Sequence, residues 1–260
     1  MLQREPRSLS YLEDVPVADL RILRDQITEV LWSADGAAMG RLAAAAKLLP
    51  NRVSATMSER AFGPVLSAQL AGRLEPSRAI DVAAKLPTDF LADVAIELDP
   101  RRTNQVIAGI PAGRIGEITA ELIRRGEWVT MGQFVGHLED DAIRATLDEM
   151  DNAQLLRIGF VLENKEQLDH LVALLPDERM NGIIAAAADE GLWIEALDLL
   201  SHLSPTHRRR ILDSAMAMGA ATLQDIVTAV VEHGLWDEVR EIAEGDPALQ
   251  AKLDERAAPL

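Results

Sequence analysis

The sequence predicts an all-α protein built as an α-solenoid, a stack of short helical hairpins, and three observations lead to that class. Apolar residues make up 48% of the chain but aromatic residues only 3%, and most of the apolar ones are the helix formers Ala and Leu. Apolar residues recur twelve positions apart, each followed closely by a residue that starts helices, and a Gly-x-Trp motif recurs as well. Helices this short are marginal alone, so we expect them to be held by stacking on their neighbours.

The chain divides into an arm, one domain and a tail. Residues 1–19 are predicted to form an N-terminal arm, because charges and prolines interrupt them, and they lack the apolar core of a signal peptide. Residues 20–245 are predicted to be a single helical-repeat domain, in which 20–73 contribute two or three less regular capping helices. Residues 246–260 are predicted to be a frayed tail. No stretch approaches the roughly 20 apolar residues of a spanning helix, so we expect no membrane insertion and a cytoplasmic location.

The first run of twelve-residue spacing lies within positions 74–122. Its apolar positions are Leu74, Leu86, Leu98 and Ile110, and the prolines that follow them are Pro76, Pro87, Pro100 and Pro111. Proline has a fixed φ and no N–H to donate, so it suits the first turn of a helix and breaks a helix interior. Each proline therefore predicts the end of one short helix and the start of the next.

A second run with the same spacing lies within positions 138–175. Its apolar positions are Leu138, Met150, Leu162 and Leu174, and the residues two positions later are Asp140, Asn152, Asn164 and Pro176. Asp and Asn side chains accept hydrogen bonds from the backbone N–H groups that a helix start leaves unpaired. These residues therefore predict helix starts at the same interval as the earlier prolines.

Three Gly-x-Trp hairpins are predicted around this spacing. They cover positions 111–138, 176–203 and 222–245, with glycines Gly126, Gly191 and Gly234 and tryptophans Trp128, Trp193 and Trp236. A glycine just past a helix end takes the left-handed conformation, and the tryptophan then opens the second helix as an anchor buried between hairpins. An aromatic binding box is the alternative. His137 and His202 recur in register with the first two hairpins, which favours a packing role over catalysis.

The segment from Leu74 to Ile115, LEPSRAIDVAAKLPTDFLADVAIELDPRRTNQVIAGIPAGRI, resembles the cytoplasmic N-terminal helical domain of MgtE-type magnesium transporters. In that family short helices repeat with a leucine followed by an acidic residue or proline, and related repeats occur in the flagellar motor switch protein FliG. The resemblance implies a superhelical fold, and not ion transport, because the sequence lacks the transporter's membrane region. The resemblance and the twelve-residue spacing together lead us to predict a right-handed superhelix.

An acidic run lies between positions 139 and 151 and contains Glu139, Asp140, Asp141, Asp148, Glu149 and Asp151. In the transporter family the N-terminal domain takes part in magnesium sensing through acidic residues at a domain boundary. The resemblance therefore implies a hard-cation site here, with Glu139, Asp140 and Asp141 as candidate ligands of Mg²⁺. The favoured alternative is that these acids are solvated helix caps, which the helix dipole stabilises in a first turn.

The densest basic run is His207, Arg208, Arg209 and Arg210, which follows a helix start at Ser204. On an acidic chain it is a candidate site for a carboxylate or phosphate of a partner protein. The alternative is a solvated helix face whose arginines pair with neighbouring hairpins.

The remaining candidate residues do not form a catalytic motif. Met180, Met216 and Met218 could line an adaptable apolar groove, although core packing is the favoured interpretation. His170, His207 and His233 lack zinc-site spacing. The chain has no cysteine, no glycine-rich phosphate loop and no nucleophile elbow, so we expect no enzyme. A net charge of −16 disfavours nucleic acid as a partner.

The sequence therefore predicts a non-enzymatic, cytoplasmic protein-interaction or scaffold module that binds a protein partner through its concave face or basic run, with homo-oligomerisation left open. Two alternatives remain: a divalent-cation sensor that binds Mg²⁺ at the acidic run, and a binder of an apolar ligand between hairpins. No other cofactor is expected.

Overall fold

The computed structural model of the chain describes residues 15–34, 36–162 and 164–218, together with positions 224, 226, 228, 230–232 and 234. Over these residues all regular structure is helical and no strand occurs, so the all-α prediction is confirmed. The α-helices of the described ranges are α1 (Val17–Ala34), α2 (Gly36–Ala46), α3 (Asn51–Met57), α4 (Gly63–Ala71), α5 (Pro76–Ala83), α6 (Thr88–Glu97), α7 (Pro100–Ala108), α8 (Ala112–Arg125), α9 (Trp128–Phe134), α10 (Asp140–Asp148), α11 (Asn152–Val161), α12 (Leu168–Leu174), α13 (Asp177–Asp189), α14 (Trp193–Ser201) and α15 (Pro205–Ala217).

The helix starts follow the proline and Asx positions, although Asp140 and Asn152 are the first residues of α10 and α11 and not their caps, which are Glu139 and Asp151. α5 and α7 begin on Pro76 and Pro100, and α6 and α8 begin just after Pro87 and Pro111. α11 begins after Asp151, whose carboxylate accepts from the N–H of Gln154 at 2.8 Å while the Gln154 side chain accepts from the N–H of Asp151 at 3.0 Å. This reciprocal cap satisfies two N–H groups that the first helical turn leaves without partners.

One position departs from the twelve-residue spacing. After Leu162 the chain forms a 3₁₀ turn at Lys165–Gln167 before α12 begins at Leu168. The side-chain oxygen of Asn164 accepts from the N–H of Glu166 at 3.1 Å, which closes a local turn and delays the α-helix.

The N-terminal region contains more structure than the sequence predicts. Four helices, α1 to α4, and a π-helix at Ser58–Phe62 occupy the part of the chain predicted to hold two or three helices. α1 starts at Val17, inside the segment predicted as an arm. The reason is that Pro16 sits ahead of the helix, where its carbonyl accepts from the N–H groups of Asp19 and Leu20 at 3.0 and 3.1 Å.

Alternate helices pack against each other along the chain. α2 contacts α4, α4 contacts α6, α6 contacts α8 and α8 contacts α10. The odd-numbered helices make the same kind of contact from α3 to α5 to α7, and again from α9 to α11, α13 and α15. One buried cluster lies around Leu91 and Ala92 in the first half, and a second lies around Leu162 and Leu203 in the second half.

In the described part of the chain, four arginines link a helix to the helix three positions earlier. Each lies near the start of its own helix and donates to backbone carbonyls at the other helix's C-terminal end: Arg78 to Ala46 and Leu49, Arg114 to Leu86, Arg179 to Leu147 and Met150, and Arg210 to Val172 and Leu175. The last carbonyls of a helix lack the usual partner four residues on, and three of these guanidinium groups, those of Arg78, Arg179 and Arg210, each donate to two of them. We call these contacts the arginine–carbonyl links.

Candidate functional site

The basic run predicted to bind a partner is largely engaged within the chain. Arg208 donates to the carbonyls of Leu203 and Ser201 at 2.7 and 2.6 Å, and Arg210 forms one of the arginine–carbonyl links. Arg209 is more open, with a side chain 62% exposed and a long 3.9 Å ion pair to Asp213. The geometry gives Arg208 and Arg210 a structural role, and partner binding at this run stays a prediction.

His207 belongs to the same internal network. Its Nδ1 lies 2.8 Å from the Asp169 carboxylate on α12, which also accepts from the N–H of Ser204 at 2.9 Å. Burial raises the pKa of Asp169, but these two contacts outweigh burial and hold that pKa below its usual value. The start of α15 is therefore tied to α12 through a carboxylate that stays charged near neutral pH.

The acidic run does not assemble a cation site. Asp140 lies in the first turn of α10 and pairs with Nε2 of His170 at 2.8 Å, while Asp151 caps α11. Within the described part of the chain no three carboxylate, imidazole or thiol groups come close enough to hold a metal ion. The structure therefore does not bring Glu139, Asp140 and Asp141 together as ligands, and Mg²⁺ binding there stays a prediction.

The Gly-x-Trp positions lie at helix ends and in the core. Gly126, Gly191 and Gly234 have φ values of 73°, 68° and 67°, in the left-handed region that favours glycine. Trp193 is buried beside Leu156 and Ala187, and half-buried Trp128 packs on the first core cluster; Trp236 lies outside the described residues. No aromatic box forms between Trp128 and Trp193, the two described tryptophans of the Gly-x-Trp hairpins, because they belong to different clusters.

The other candidates are also accounted for by packing. Met180 is buried in the second cluster and Met218 packs against it, whereas the side chain of Met216 and all of His233 lie outside the description. His202 Nδ1 lies 2.7 Å from the carbonyl of Asp198 at the end of α14.

The most strongly shifted carboxyl group, Glu121, belongs to an ion-pair network. Hydrogen bonds from Arg124 and then Arg125 lower its pKa to about 2. Arg125 also donates to the Asp93 carboxylate on α6, so the network joins α8 to α6 at the surface. Shifted pKa values mark functional sites and structural ion pairs alike, and here the partners indicate a structural pair.

α1 is attached to the rest of the protein by Trp32 and by charges, a contact that nothing in the sequence marks. The guanidinium groups of Arg73 and Arg102 both lie over the Trp32 ring, at 3.5 and 4.6 Å from its centroid. It also covers Gly72, where an added Cβ would lie 2.9 Å from the ring. Cation–π contacts of this kind contribute about 0.5–2 kcal/mol each.

Two ion pairs extend this attachment along α1. Arg101 lies 2.8 Å from Asp25, and Arg102 pairs with Glu29. Burial raises the pKa of Asp25, but hydrogen bonds from Arg24 and Arg101 outweigh it and leave the pKa lowered. The charged face of α1 is therefore the face that meets the protein body.

The opposite face of α1 is an apolar stripe of four residues, of which three are exposed and Leu20 is half-buried. It consists of Leu20, Leu23, Ile27 and Val30, at alternating intervals of three and four residues. Leu23 and Ile27 are each 43% exposed and Val30 is 66% exposed. Apolar residues grouped on one exposed face mark interaction surfaces more often than singly scattered ones do. We call this face the α1 stripe.

Among the described helices lie two apolar cavities that are partly open to solvent. The first, about 210 Å³, is lined by residues from Leu42 to Met150, and the second, about 200 Å³, by residues from Val135 to Ile226. Among the described residues that line them none is charged, and the few polar ones are serines and threonines.

Three buried side-chain atoms in the described part of the chain lack a hydrogen-bond partner: Ser54 Oγ, Arg78 Nε and Asn152 Oδ1. Of these residues only Ser54 lines one of the two cavities. No described helix has both the length and the apolar character that crossing a bilayer requires. Comparisons of the chain with protein-family models, with curated proteins and with solved structures find no match.

Proposed function

We propose that the chain is a non-enzymatic protein-interaction module whose contact surface is the α1 stripe, and that the first partner of this surface is a second copy of the chain. The observation that carries the proposal is an apolar face on an 18-residue helix, opposite the face that docks on the rest of the protein, where Leu23, Ile27 and Val30 are exposed and Leu20 is half-buried.

The spacing of the stripe suits a helix partner. Intervals of three, four and three residues place Leu20 and Ile27 at one core position of a heptad, and Leu23 and Val30 at the other. Such a seam buries its side chains most completely against another helix with the same spacing. α1 is about 27 Å long, which is short for a free coiled coil. Because α1 is already held in helical form by its contacts with the rest of the protein, pairing does not have to supply the nucleation free energy that makes short isolated helices unstable.

The charges beside the stripe support pairing with an identical helix. Asp19 and Arg24 stand five residues apart on its two flanks. In a parallel pair of α1 helices each Asp19 would face Arg24 of the other chain, the usual ion pair of a two-stranded coiled coil, in addition to the bonds that Arg24 donates to Asp25 of its own chain at 3.0 and 2.8 Å. The self-complementary charges favour a second copy over an unrelated partner.

The wider architecture that this proposal assumes is a right-handed superhelix with a single repeat domain. Contacts between alternate helices and the four arginine–carbonyl links support it, since both recur along the chain as they do in repeat proteins. The resemblance to MgtE-type domains supports the same arrangement. The cytoplasmic location rests only on the absence of cysteine and of apolar segments.

Sedimentation velocity over a hundredfold range of concentration tests the surface. We expect wild-type protein to shift from monomer to dimer as concentration rises, and Val30→Glu to stay monomeric because it buries an unpaired charge in the seam. The matched control is Val129→Glu, which makes the same change at a valine 59% exposed on α9. It should dimerise like wild type.

Two outcomes would overturn the proposal. A wild-type protein that remains monomeric over the whole range has no self-association to explain. Loss of the dimer in Val129→Glu as well as Val30→Glu would assign the contact to another surface. Unchanged helicity by circular dichroism excludes unfolding as the cause of either result.

A further inference from the structure

α1 is attached to the rest of the protein without a buried side chain. Among the residues whose side chains are described, every α-helix from α2 to α15 contains at least one buried residue, and α1 contains none. Its residues Leu23, Ile27 and Val30 are exposed on the opposite face. Burial of apolar surface is the main favourable term that holds helices in a fold. For α1 this term is therefore small.

Two ion pairs join α1 to α7 at positions that water and salt can reach. The side chains of Asp25 and Arg101 are 41% and 44% exposed, and Glu29, the partner of Arg102, is 65% exposed. Exposed ion pairs are weak, and salt screens them because the Debye length falls from about 30 Å at 0.01 M to about 3 Å at 1 M. The attachment of α1 therefore weakens as ionic strength rises.

Local ion pairs also make separation of α1 inexpensive. Arg101 and Arg102 both pair with Asp99 beside them on the chain, and Asp25 is held by Arg24 within α1 at 2.8 Å. Both members of the pair between Arg101 and Asp25 therefore keep a partner of opposite charge when the two helices move apart. A charge that stays paired and solvated does not oppose the separation.

Trp32 fixes the position of α1 through one glycine. The half-buried ring covers Gly72, where an added Cβ would lie 2.9 Å from Cη2, and Arg73 donates to the Trp32 carbonyl at 3.0 Å. This contact places one ring against one residue at the end of α4. It sets where α1 lies, but it buries far less apolar surface than the faces by which the other helices pack.

From these contacts we infer that α1 is a releasable helix, which detaches in a local opening that leaves α2 to α15 folded, and that rising ionic strength promotes its release. Segments held by few buried contacts open at free energies well below that of global unfolding. Release takes place within one chain and does not depend on self-association. Because α1 carries the α1 stripe, release would also regulate the surface proposed for pairing, and this consequence alone rests on the proposed function.

Hydrogen exchange of the full chain, followed by mass spectrometry, tests the release. Between about 0.01 M and about 1 M NaCl, the amides of α1 should come to exchange about three to ten times faster, the effect of screening two exposed ion pairs. The amides of α8, which has a buried face, should keep their rate. An α1 that exchanges as slowly as α8 at every salt concentration, or an equal change in both helices, would overturn the inference.

A charge variant tests the ion pairs. Glu29→Gln removes the charge that faces Arg102, so α1 should exchange about two to five times faster at low salt and respond less to added salt. The matched control is Glu59→Gln, which makes the same change in net charge at an exposed acid of the π-helix and should leave α1 exchange unchanged. Equal exchange of α1 in the two variants would overturn the role of the ion pairs.

A glycine variant tests the Trp32 contact. Gly72→Ala should speed exchange of α1 at every salt concentration, because its Cβ displaces the ring, whereas Gly113→Ala, with nothing within 4 Å, should not. Unchanged α1 exchange in Gly72→Ala would overturn the role of Trp32.

The choice of protein concentration separates release from pairing. Exchange is measured at the lowest concentration of the sedimentation series, where mass action keeps the chain monomeric whether or not it pairs at higher concentration. Failure of the chain to dimerise therefore leaves the release result intact, and failure of release leaves the sedimentation result intact.

Discussion

Replacing Arg179 tests whether the arginine–carbonyl links hold neighbouring helices together. Its guanidinium donates to the carbonyls of Leu147 and Met150 at 3.3 and 2.7 Å, from the start of α13 to the end of α10. Arg179→Met keeps the apolar stem and removes both donors, so the loss reflects the hydrogen bonds and not the packing.

The magnitude follows from the number and the burial of these bonds. Hydrogen bonds to charged groups contribute about 1.5–3 kcal/mol each when buried. Arg179 is half-buried and the 3.3 Å contact is long, so the total should be near the lower end, about 2 kcal/mol. In a chain of 260 residues that corresponds to a fall in Tm of about 4–8 °C.

Urea unfolding followed by circular dichroism, with calorimetry for Tm, measures this loss. Arg209→Met is the matched control, because the Arg209 side chain is 62% exposed and should change stability by no more than about 0.5 kcal/mol. The reasoning is refuted if the two variants lose the same amount.

Three further predictions concern other contacts. Gly132→Ala should lower the free energy of unfolding by about 1–3 kcal/mol, because the added Cβ would lie 3.2 Å from the carbonyl oxygen of Val161 on α11. Gly113→Ala is the control, because an added Cβ there has nothing within 4 Å and should be neutral or stabilising. Calorimetric Tm measurements compare the two variants. Asp169→Asn should cost about 1 kcal/mol at neutral pH. Since the pKa of Asp169 is lowered in the folded chain, this difference should persist above about pH 4 and vanish as the pH falls through the folded pKa, as urea unfolding at several pH values will show. Titration with Mg²⁺ to about ten millimolar should leave Tm unchanged, whereas cation binding at the acidic run would raise it.

The helix starts could be predicted because their chemistry is local. Pro76 and Pro100 open helices, and Asp151 and Gln154 cap each other, through bonds and dihedral limits that span only a few residues. Asn164 has the same side-chain chemistry and closes a turn instead. The side chain alone does not decide between these two outcomes.

The candidate sites were less predictable because they depend on contacts distant in sequence. The basic run has the composition of a binding patch, but Arg210 within it donates to carbonyls about 35 residues earlier in the chain, such as that of Leu175. Trp32 is not preceded two positions earlier by a glycine, as the other tryptophans are, so the Gly-x-Trp motif does not find it. The arginine–carbonyl links do leave a trace, since Arg78, Arg114 and Arg179 each follow a helix-starting proline by two or three residues.

The cavities leave no comparable trace. Their alanines are the same residues that favour helix formation throughout the chain, so composition does not separate an alanine that leaves space from one that allows close packing. The unpaired hydroxyl of Ser54 can likewise be recognised only when its surroundings are known.

Pairing of α1 with a second copy is the central claim, and the distance between two spin labels tests it most directly. The chain has no cysteine, so Gln26→Cys provides a single labelling site at the middle of α1. Paired helices lie about 8–10 Å apart, so double electron–electron resonance should give a short label-to-label distance that disappears when Val30→Glu is added. Labelled protein at high concentration that gives no dipolar coupling would contradict the account.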